Sequence, residues 1–265
     1  MFVVAPFLWA LSTSFKDFNS VTKKATYIPW LQFEPSLEGW KVLIRSPAKG
    51  GVDIIEPYFN SIFVTCSASL ISILLGTLAA YALSRFTFKA GFIKNNDITF
   101  FFISQRIMPP IVLSIPFFLM LGYLELLDSL FGLILVYIVL LMPIAVWIMV
   151  DFFNKVPKEI DETAFVDGYS FPRFFIKIFL PLIAPGVGVC AFFCFNFSWV
   201  ELILAKALTI THAKPVVVML TVGIGAEGVK WGLLAAAGVL TVIPGALVVY
   251  FVRNYMAKGF ALGRV

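Results

Sequence analysis

Residues 130–153 read LFGLILVYIVLLMPIAVWIMVDFF, a run in which Asp151 is the first charge. About 20 such residues let a helix cross roughly 30 Å of hydrocarbon. Comparable apolar segments lie at roughly 58–83, 98–122, 179–204 and 233–252. The composition agrees. Of 265 residues, 60% are apolar and 13% charged, with a mean hydropathy of +0.96, whereas an ordinary globular domain carries about 25% charged residues. Too few charged side chains remain to cover a compact soluble fold. The chain reads as an all-α polytopic membrane protein with residues 1–265 forming a single transmembrane domain. A soluble enzyme, a disordered chain and a nucleic-acid-binding module are excluded, and the pI near 9.1 reflects basic loops.

The ends of the segments carry further signals. No basic region precedes Phe2-Val-Val-Ala-Pro-Phe-Leu-Trp9, so nothing there reads as a cleaved signal peptide. Only about 11 apolar residues precede Ser12-Thr-Ser-Phe-Lys16, too few to span. The expectation is therefore about six transmembrane helices, the first short or truncated. Pro109, Pro110 and Pro116 should break the 98–122 segment into short helical pieces. With the 151–178 loop placed inside, the inner loops and tail hold ten lysines and arginines against nine in the outer loops, a slight bias in the direction that the positive-inside rule requires. The long outer loop 15–57 carries Trp30, Trp40, Pro29, Pro35 and Pro47. It is either an ordered loop with interfacial tryptophans or a surface that meets a soluble partner.

Several chemistries find no support. His212 is the single histidine, and no H-E-x-x-H string occurs. Cys66, Cys190 and Cys194 lie inside apolar runs and read as packing residues, so no metal site is expected. A G-x-x-x-x-G-K-[S/T] phosphate loop is absent. Gly223-Ile-Gly-Ala-Glu-Gly228 does match G-x-G-x-x-G, but it follows no strand and falls in an outer loop.

The most informative loop is Val156-Pro-Lys-Glu-Ile-Asp-Glu-Thr-Ala-Phe-Val-Asp-Gly-Tyr-Ser-Phe-Pro-Arg-Phe-Phe-Ile-Lys-Ile-Phe-Leu-Pro181. It reads as two short helices joined by a tight turn. Pro157 suits a first helical turn, and Glu159, Asp161 and Glu162 put negative charge at the positive end of the dipole. Asp167-Gly168 is a turn dipeptide. Ser170 can cap a second helix with Pro172 in its first turn and Lys177 near its end. Ala164, Phe165, Tyr169, Phe174 and Phe175 give this polar loop an apolar surface, suited to docking on a partner or lying on the bilayer.

This loop resembles the cytoplasmic signature of the permease subunits of bacterial ATP-binding-cassette (ABC) importers, in their carbohydrate-type, MalG-like branch. That signature reads E-A-A, three residues, G, nine residues, I-x-L-P. The chain has Glu162-Thr163-Ala164, Gly168 and Ile178-Phe-Leu180-Pro181 at identical spacing, with Thr163 the one departure. Weaker matches run from Pro6-Phe-Leu-Trp through Asn60-Ser61 with Ala79-Ala-Tyr-Ala82, Arg106 with Pro109 and Pro143 with Trp147, to Gly259 with Gly263. The resemblance implies the importer permease fold and a cytoplasmic coupling loop at about 152–179. Glu162, Thr163, Ala164, Asp167, Gly168, Ile178, Leu180 and Pro181 would face an ATPase subunit there. It implies a bacterial inner-membrane location and a non-catalytic role, with ATP and Mg held by the ATPase and no cofactor on this chain. The implied partners are a second homologous permease, two ATPase copies, an extracytoplasmic solute-binding protein and membrane lipid. The implied solute is a sugar or polyol, with glycerol or glycerol phosphate compatible. A secondary transporter or channel working alone would also explain the apolar helices, but it leaves the loop signature without a task.

Polar groups inside the spans are candidates for a solute path, because a charge at the bilayer centre normally faces protein or water. They are Gln105, Arg106, Asn196, Ser198, Trp199 and Glu201, with Tyr137 and Trp147 as rings able to stack on a sugar. A structural reading stands beside this one: Arg106 can snorkel or pair, and Asn196 can bond a neighbouring helix.

Overall fold

The computed structural model describes residues 4–22, 26–225 and 228–262. Met1–Val3, Lys23 and Lys24, Ala226 and Glu227 of the G-x-G-x-x-G string, and Gly263 and Arg264 of the tail lie outside the described residues. Three short helices open the chain: α1 (Ala5–Thr13), α2 (Phe18–Thr22) and α3 (Glu38–Ile44). The long α4 (Ile55–Arg85) follows, then a two-stranded antiparallel hairpin of β1 (Lys89–Ala90) and β2 (Ile93–Lys94). Next come α5 (Asn95–Ser104), a 3-10 turn at Gln105–Ile107, α6 (Pro110–Tyr123) and α7 (Leu130–Asn154).

A small helical hairpin consists of α8 (Glu159–Val166), α9 (Phe171–Phe174), a π segment (Phe175–Phe179) and α10 (Leu180–Leu182). The chain closes with α11 (Ala184–Trp199), α12 (Ile203–Leu208), α13 (Val216–Met219), a hairpin of β3 (Ile224–Gly225) and β4 (Gly228–Val229), and α14 (Trp231–Leu262).

Three helices are long and apolar enough to cross a membrane, α4, α7 and α14. Two further spans are broken: 95–107 with 110–123 bends by 94°, and 171–182 with 184–199 by 80°. At nine residues, α1 is the short first segment. The break at Met108–Pro109 follows from two consecutive prolines, which remove two N–H donors and hold Pro109 extended at ψ 135°. Pro116, expected to break the span as well, lies inside a continuous α6. Isolated from other prolines, it costs one hydrogen bond, which a membrane helix tolerates.

The core lies where α4, α7 and α11 meet. In α7, 61% of the most apolar window is buried, against 17% in α14, which makes α7 the central post. The buried face of α4 is a stripe of small residues: Ser61, Thr65, Ala68, Ser69, Ser72, Gly76 and Ala80. Its opposite face exposes Phe59, Phe63, Leu70, Leu74 and Leu78. Lipid is as apolar as leucine, so helices in it associate by close fit, and small residues supply that fit.

The described residues of the 15–57 loop fold onto the start of α14 through α2 and α3. Gly39 on α3 meets Gly232 so closely that an added Cβ would stand 2.8 Å from the Gly232 backbone. Trp40 Nε1 donates to Ser14 Oγ at 3.3 Å. Lys16 is buried, its ammonium donating to the Thr26 carbonyl and lying 5.1 Å from the centre of the Phe33 ring. Burial pushes this lysine below its ordinary value.

The α4–α7 crossing is the packing test of the fold. A Cβ at Gly76 would stand 2.5 Å from Ala145 Cβ, while one at Gly238 would meet nothing within 4 Å. Gly76→Val should therefore destabilise the detergent-solubilised protein by about 1–3 kcal/mol through overpacking. Gly238→Ala should leave its thermal melt unchanged or higher.

Candidate functional site

The hairpin sits at the end of the bundle where α4 and α7 finish. Its first helix begins beyond Pro157, which precedes the first turn rather than occupying it. Glu159, Asp161 and Glu162 do fill that turn, where negative charge is favoured by the dipole. At Gly168 the backbone is left-handed, φ +80°, a conformation open to glycine without a Cβ penalty. Tyr169 N–H then donates to the Ala164 carbonyl at 3.1 Å, closing the turn. Ser170 holds the cap position of α9, but its hydroxyl makes no capping bond, contrary to expectation. Pro172 removes one of the two N–H groups from which a cap can accept, leaving that of Arg173, which the Ser170 hydroxyl does not take.

Glu162, Thr163, Asp167 and Gly168 are exposed on the outer surface of this hairpin, as are Leu180 and Pro181. Ala164 faces inward at 4% exposure, and Ile178 is half-buried. Between the two arms a shallow groove of about 360 Å³ is lined by Glu159, Ile160, Thr163, Ala164, Asp167 and Ile178.

Asp161 points the other way, into the bundle. Its Oδ2 accepts from Arg85 Nε at 2.8 Å and from the Tyr81 hydroxyl at 2.9 Å. Its Oδ1 accepts from Arg85 Nη2 at 3.3 Å, while Arg85 Nη1 donates to the Phe153 carbonyl at the end of α7, also at 3.3 Å. The two charged side chains are only 6% and 8% exposed. Around them stand Phe153, Phe171, Phe174, Phe175 and Phe179, with ring centres 5.3–6.5 Å from that of Tyr81. Removing two ions from water costs several kcal/mol each, and only good geometry with further hydrogen bonds offsets it. The sequence reading used Asp161 for the helix dipole alone and gave Arg85 no role. Nothing in the local pattern pairs them.

Six of the eight solute-path candidates divide between two cavities. Arg106, Tyr137, Ser198 and Glu201 line one of about 340 Å³, beside the helix break at Pro110. Arg106 Nη1 donates to the Leu140 carbonyl at 3.3 Å, and its guanidinium lies 4.8 Å from the Phe197 ring centre. Tyr137 is 2% exposed and its hydroxyl donates to Glu201 at 3.3 Å, so packing takes up its ring faces. Glu201 is occupied too, accepting from Leu204 and Ala205 N–H at the start of α12. Ser198 donates to Thr65 Oγ1 in the core.

Asn196 and Trp199 line the second, mostly apolar cavity of about 580 Å³. Trp199 is 6% exposed, stacked on Phe195 with its indole N–H on the Thr241 carbonyl. Asn196 donates back to Phe192 in its own helix. Gln105 and Trp147 are exposed and line neither cavity. Cys190 and Cys194 are buried with their sulfurs 3.9 Å apart, and Cys66 is exposed.

At the opposite end of the bundle, Asp128 was missed by the sequence reading. Its carboxylate accepts four backbone N–H groups, those of Ile210, Thr211, His212 and Ala213, at 2.9–3.1 Å. Asn60 and Ser61 tie the same loop to α4, through the His212 carbonyl and the Val216 N–H. Burial alone would raise the Asp128 carboxyl; the four donors outweigh it and hold the group below the usual carboxylate range.

A helical bundle with three long apolar helices, two bent helix pairs and a short helical hairpin at one end is that of a multi-pass membrane component. Residues 72–261 match the family described as the inner membrane component of binding-protein-dependent transport systems, and the chain belongs to that family. It is 30% identical over 263 residues to the diacetylchitobiose uptake system permease protein NgcG of Streptomyces coelicolor, covering 97% of this chain and 82% of that protein. It is 29% identical over 262 residues to the sulfoquinovosyl glycerol transport system permease protein SmoH of Agrobacterium fabrum, covering 97% and 87%. Its fold is similar to that in the crystal structure of a bacterial ABC transporter involved in the import of the acidic polysaccharide alginate. There the TM-score is 0.72 at 21% identity, over 96% of this chain and 91% of that one.

The Asp128 clamp has a measurable consequence. A carboxyl held below its ordinary value adds stability that is present above that value and lost as pH falls through the lowered one. Asp128→Ala should cost at least about 1 kcal/mol at neutral pH, with four N–H groups losing a charged acceptor. The gap between its melting temperature and that of the unsubstituted protein should close as the pH falls through the acidic range.

Proposed function

We propose that this chain is one of two homologous permease subunits of an ATP-driven importer for a sugar or polyol-type solute. Two cytoplasmic ATPase copies would meet the 159–182 hairpins, holding ATP and Mg themselves, and a solute-binding protein would deliver its load at the Asp128 end. No covalent chemistry takes place on this chain. The observation that carries the reading is the hairpin: the signature residues Glu162, Thr163, Asp167 and Gly168 are each exposed, while its aromatic face packs on Tyr81 of the bundle. Closure of the ATPases on bound ATP draws the hairpins together and opens the outer side, so the solute passes between the permeases by alternating access. The solute class rests on the relatives, whose systems are named for diacetylchitobiose and sulfoquinovosyl glycerol. Glycerol or glycerol phosphate would suit the same chemistry.

Within the 340 Å³ cavity, Arg106 is the polar group with donors to spare. Glu201 and Tyr137 satisfy one another and α12, whereas the guanidinium makes one hydrogen bond to the chain. A fork of N–H donors suits the hydroxyls or acidic groups of a saccharide.

Gly168→Asp tests the reading. An added Cβ meets nothing within 4 Å, and a left-handed non-glycine residue costs about 1–2 kcal/mol, too little to unfold the protein. The variant should reach the membrane in normal amount, lose the co-purifying ATPase and abolish uptake. Normal uptake by a stably expressed Gly168→Asp protein would refute the proposal.

A further inference from the structure

The hairpin is covalently tied to α7 through residues 155–158 and to α11 through the bend at Ile183. Neither tie reaches α4, whose Arg85 lies 76 positions upstream of Asp161. What joins hairpin to α4 is the Arg85–Asp161 pair, the Tyr81 hydroxyl and the rings packed around Tyr81. We infer that the Arg85–Asp161 pair, with Tyr81 as its third member, is the joint that delivers movement of the hairpin to α4, which makes Arg85 a positioning residue for transport. The inference rests on the hairpin being the element that meets the ATPase.

Two physical properties suit the pair to this role. The guanidinium presents Nε and Nη2 to separate oxygens of one carboxylate, so the contact resists rotation as well as separation. Apolar rings on smooth faces lack that directionality. The pair is also sealed. Phe153, Phe174 and Phe179 are fully buried around it, and Arg85 lies 5.4 Å from the Phe179 ring centre. With the two side chains only 6% and 8% exposed, little water can solvate one charge as the other moves away, which favours movement of the pair as a unit.

Arg85 reaches further still. Its Nη1 bond to the Phe153 carbonyl ties the joint to the last turns of α7. Higher up, α4 and α7 meet at Gly76 and Ala145 with no room for a side chain. A push on α8 therefore arrives at α4 and α7 together. A stabilising role alone would not require this arrangement, since an apolar pair of similar volume holds a core as well or better.

The test uses the whole complex of this chain with its partner permease, ATPase and binding protein, in proteoliposomes. ATP hydrolysis is measured with and without the purified binding protein, and ATPase co-purification is quantified. Arg85→Met/Asp161→Leu removes both charges and leaves no unpaired buried ion. It should keep the ATPase at the wild-type ratio while the stimulated-to-basal hydrolysis ratio falls about tenfold, within the usual range of coupling between sites. Arg85→Lys, which keeps the charge but not the fork, should fall between the two, and Tyr81→Phe should give a smaller loss.

An unchanged stimulation ratio in the double variant overturns the joint. So does loss of the ATPase from that variant with an unaltered thermal melt, since the pair would then only shape the docking surface. If Gly168→Asp leaves ATPase co-purification intact, the hairpin reading itself has failed, a result independent of the double variant.

Discussion

Helices α4 and α7 approach closely only because α4 turns its small residues inward and its large ones outward. Ser61, Thr65, Ala68, Ser72, Gly76 and Ala80 recur near every turn, and Gly76 meets Ala145 without space for a side chain. In a bilayer the outward leucines and phenylalanines lose nothing by facing lipid, so fit alone selects the inward face. Much else follows from that approach. It carries Tyr81 and Arg85 to the end of α7, where the Phe153 carbonyl accepts from Arg85 and the hairpin finds its anchor. It also places Ser61 against Val216, which holds the loop at the other end.

The two broken spans raise a second constraint. Backbone polar groups at membrane depth must be satisfied by protein or face a water-filled space. The break at Pro109 opens beside the cavity that Arg106, Tyr137 and Glu201 line. Beyond α11, the chain leaves helical geometry at Val200, and the Glu201 carboxylate takes up the first N–H groups of α12. This accounts for an acidic residue at that depth: it completes a helix start, with the Tyr137 hydroxyl as a third donor. Arg106 completes no helix start; it is held by one carbonyl and the face of the Phe197 ring.

Hydropathy located the spans well, because crossing hydrocarbon demands a long apolar run, and the loop signature located the hairpin because its spacing is rigid. The α4 stripe was present in the sequence as serine, threonine, alanine and glycine at near-helical intervals, but an averaged hydropathy conceals it. Breaks were only half legible. Three prolines looked equivalent, yet Pro109 and Pro110 act together while Pro116 is absorbed within α6. The polar ties were illegible for a different reason. Asp161 and Arg85 are 76 positions apart, and Asp128 meets N–H groups 82–85 positions away. No local pattern encodes a partner at that range. Glu201 and Trp199 stand out in the sequence as candidates for a solute path, but their hydrogen bonds go to the chain itself.

Placement of the charged ties at opposite ends of the bundle has a mechanical meaning. Between them, the hydroxyl pair of Thr65 and Ser198 links α4 to α11, among small buried residues of α4 and an apolar cluster. Apolar contacts in a close-packed interior resist compression but carry little directional preference, whereas a carboxylate accepting a guanidinium fork or four amides fixes orientation. A bundle clamped directionally at both ends, and filled between with small residues in close contact, turns as one body. Bending it would first have to break a sealed ion pair or strip four N–H groups of their acceptor. Displacement applied to the hairpin is then passed along α4 and α7 toward the Asp128 end rather than being spent on deforming the interior. That is the mechanical property a permease needs if closure of ATPases on one side of the membrane is to open a path on the other.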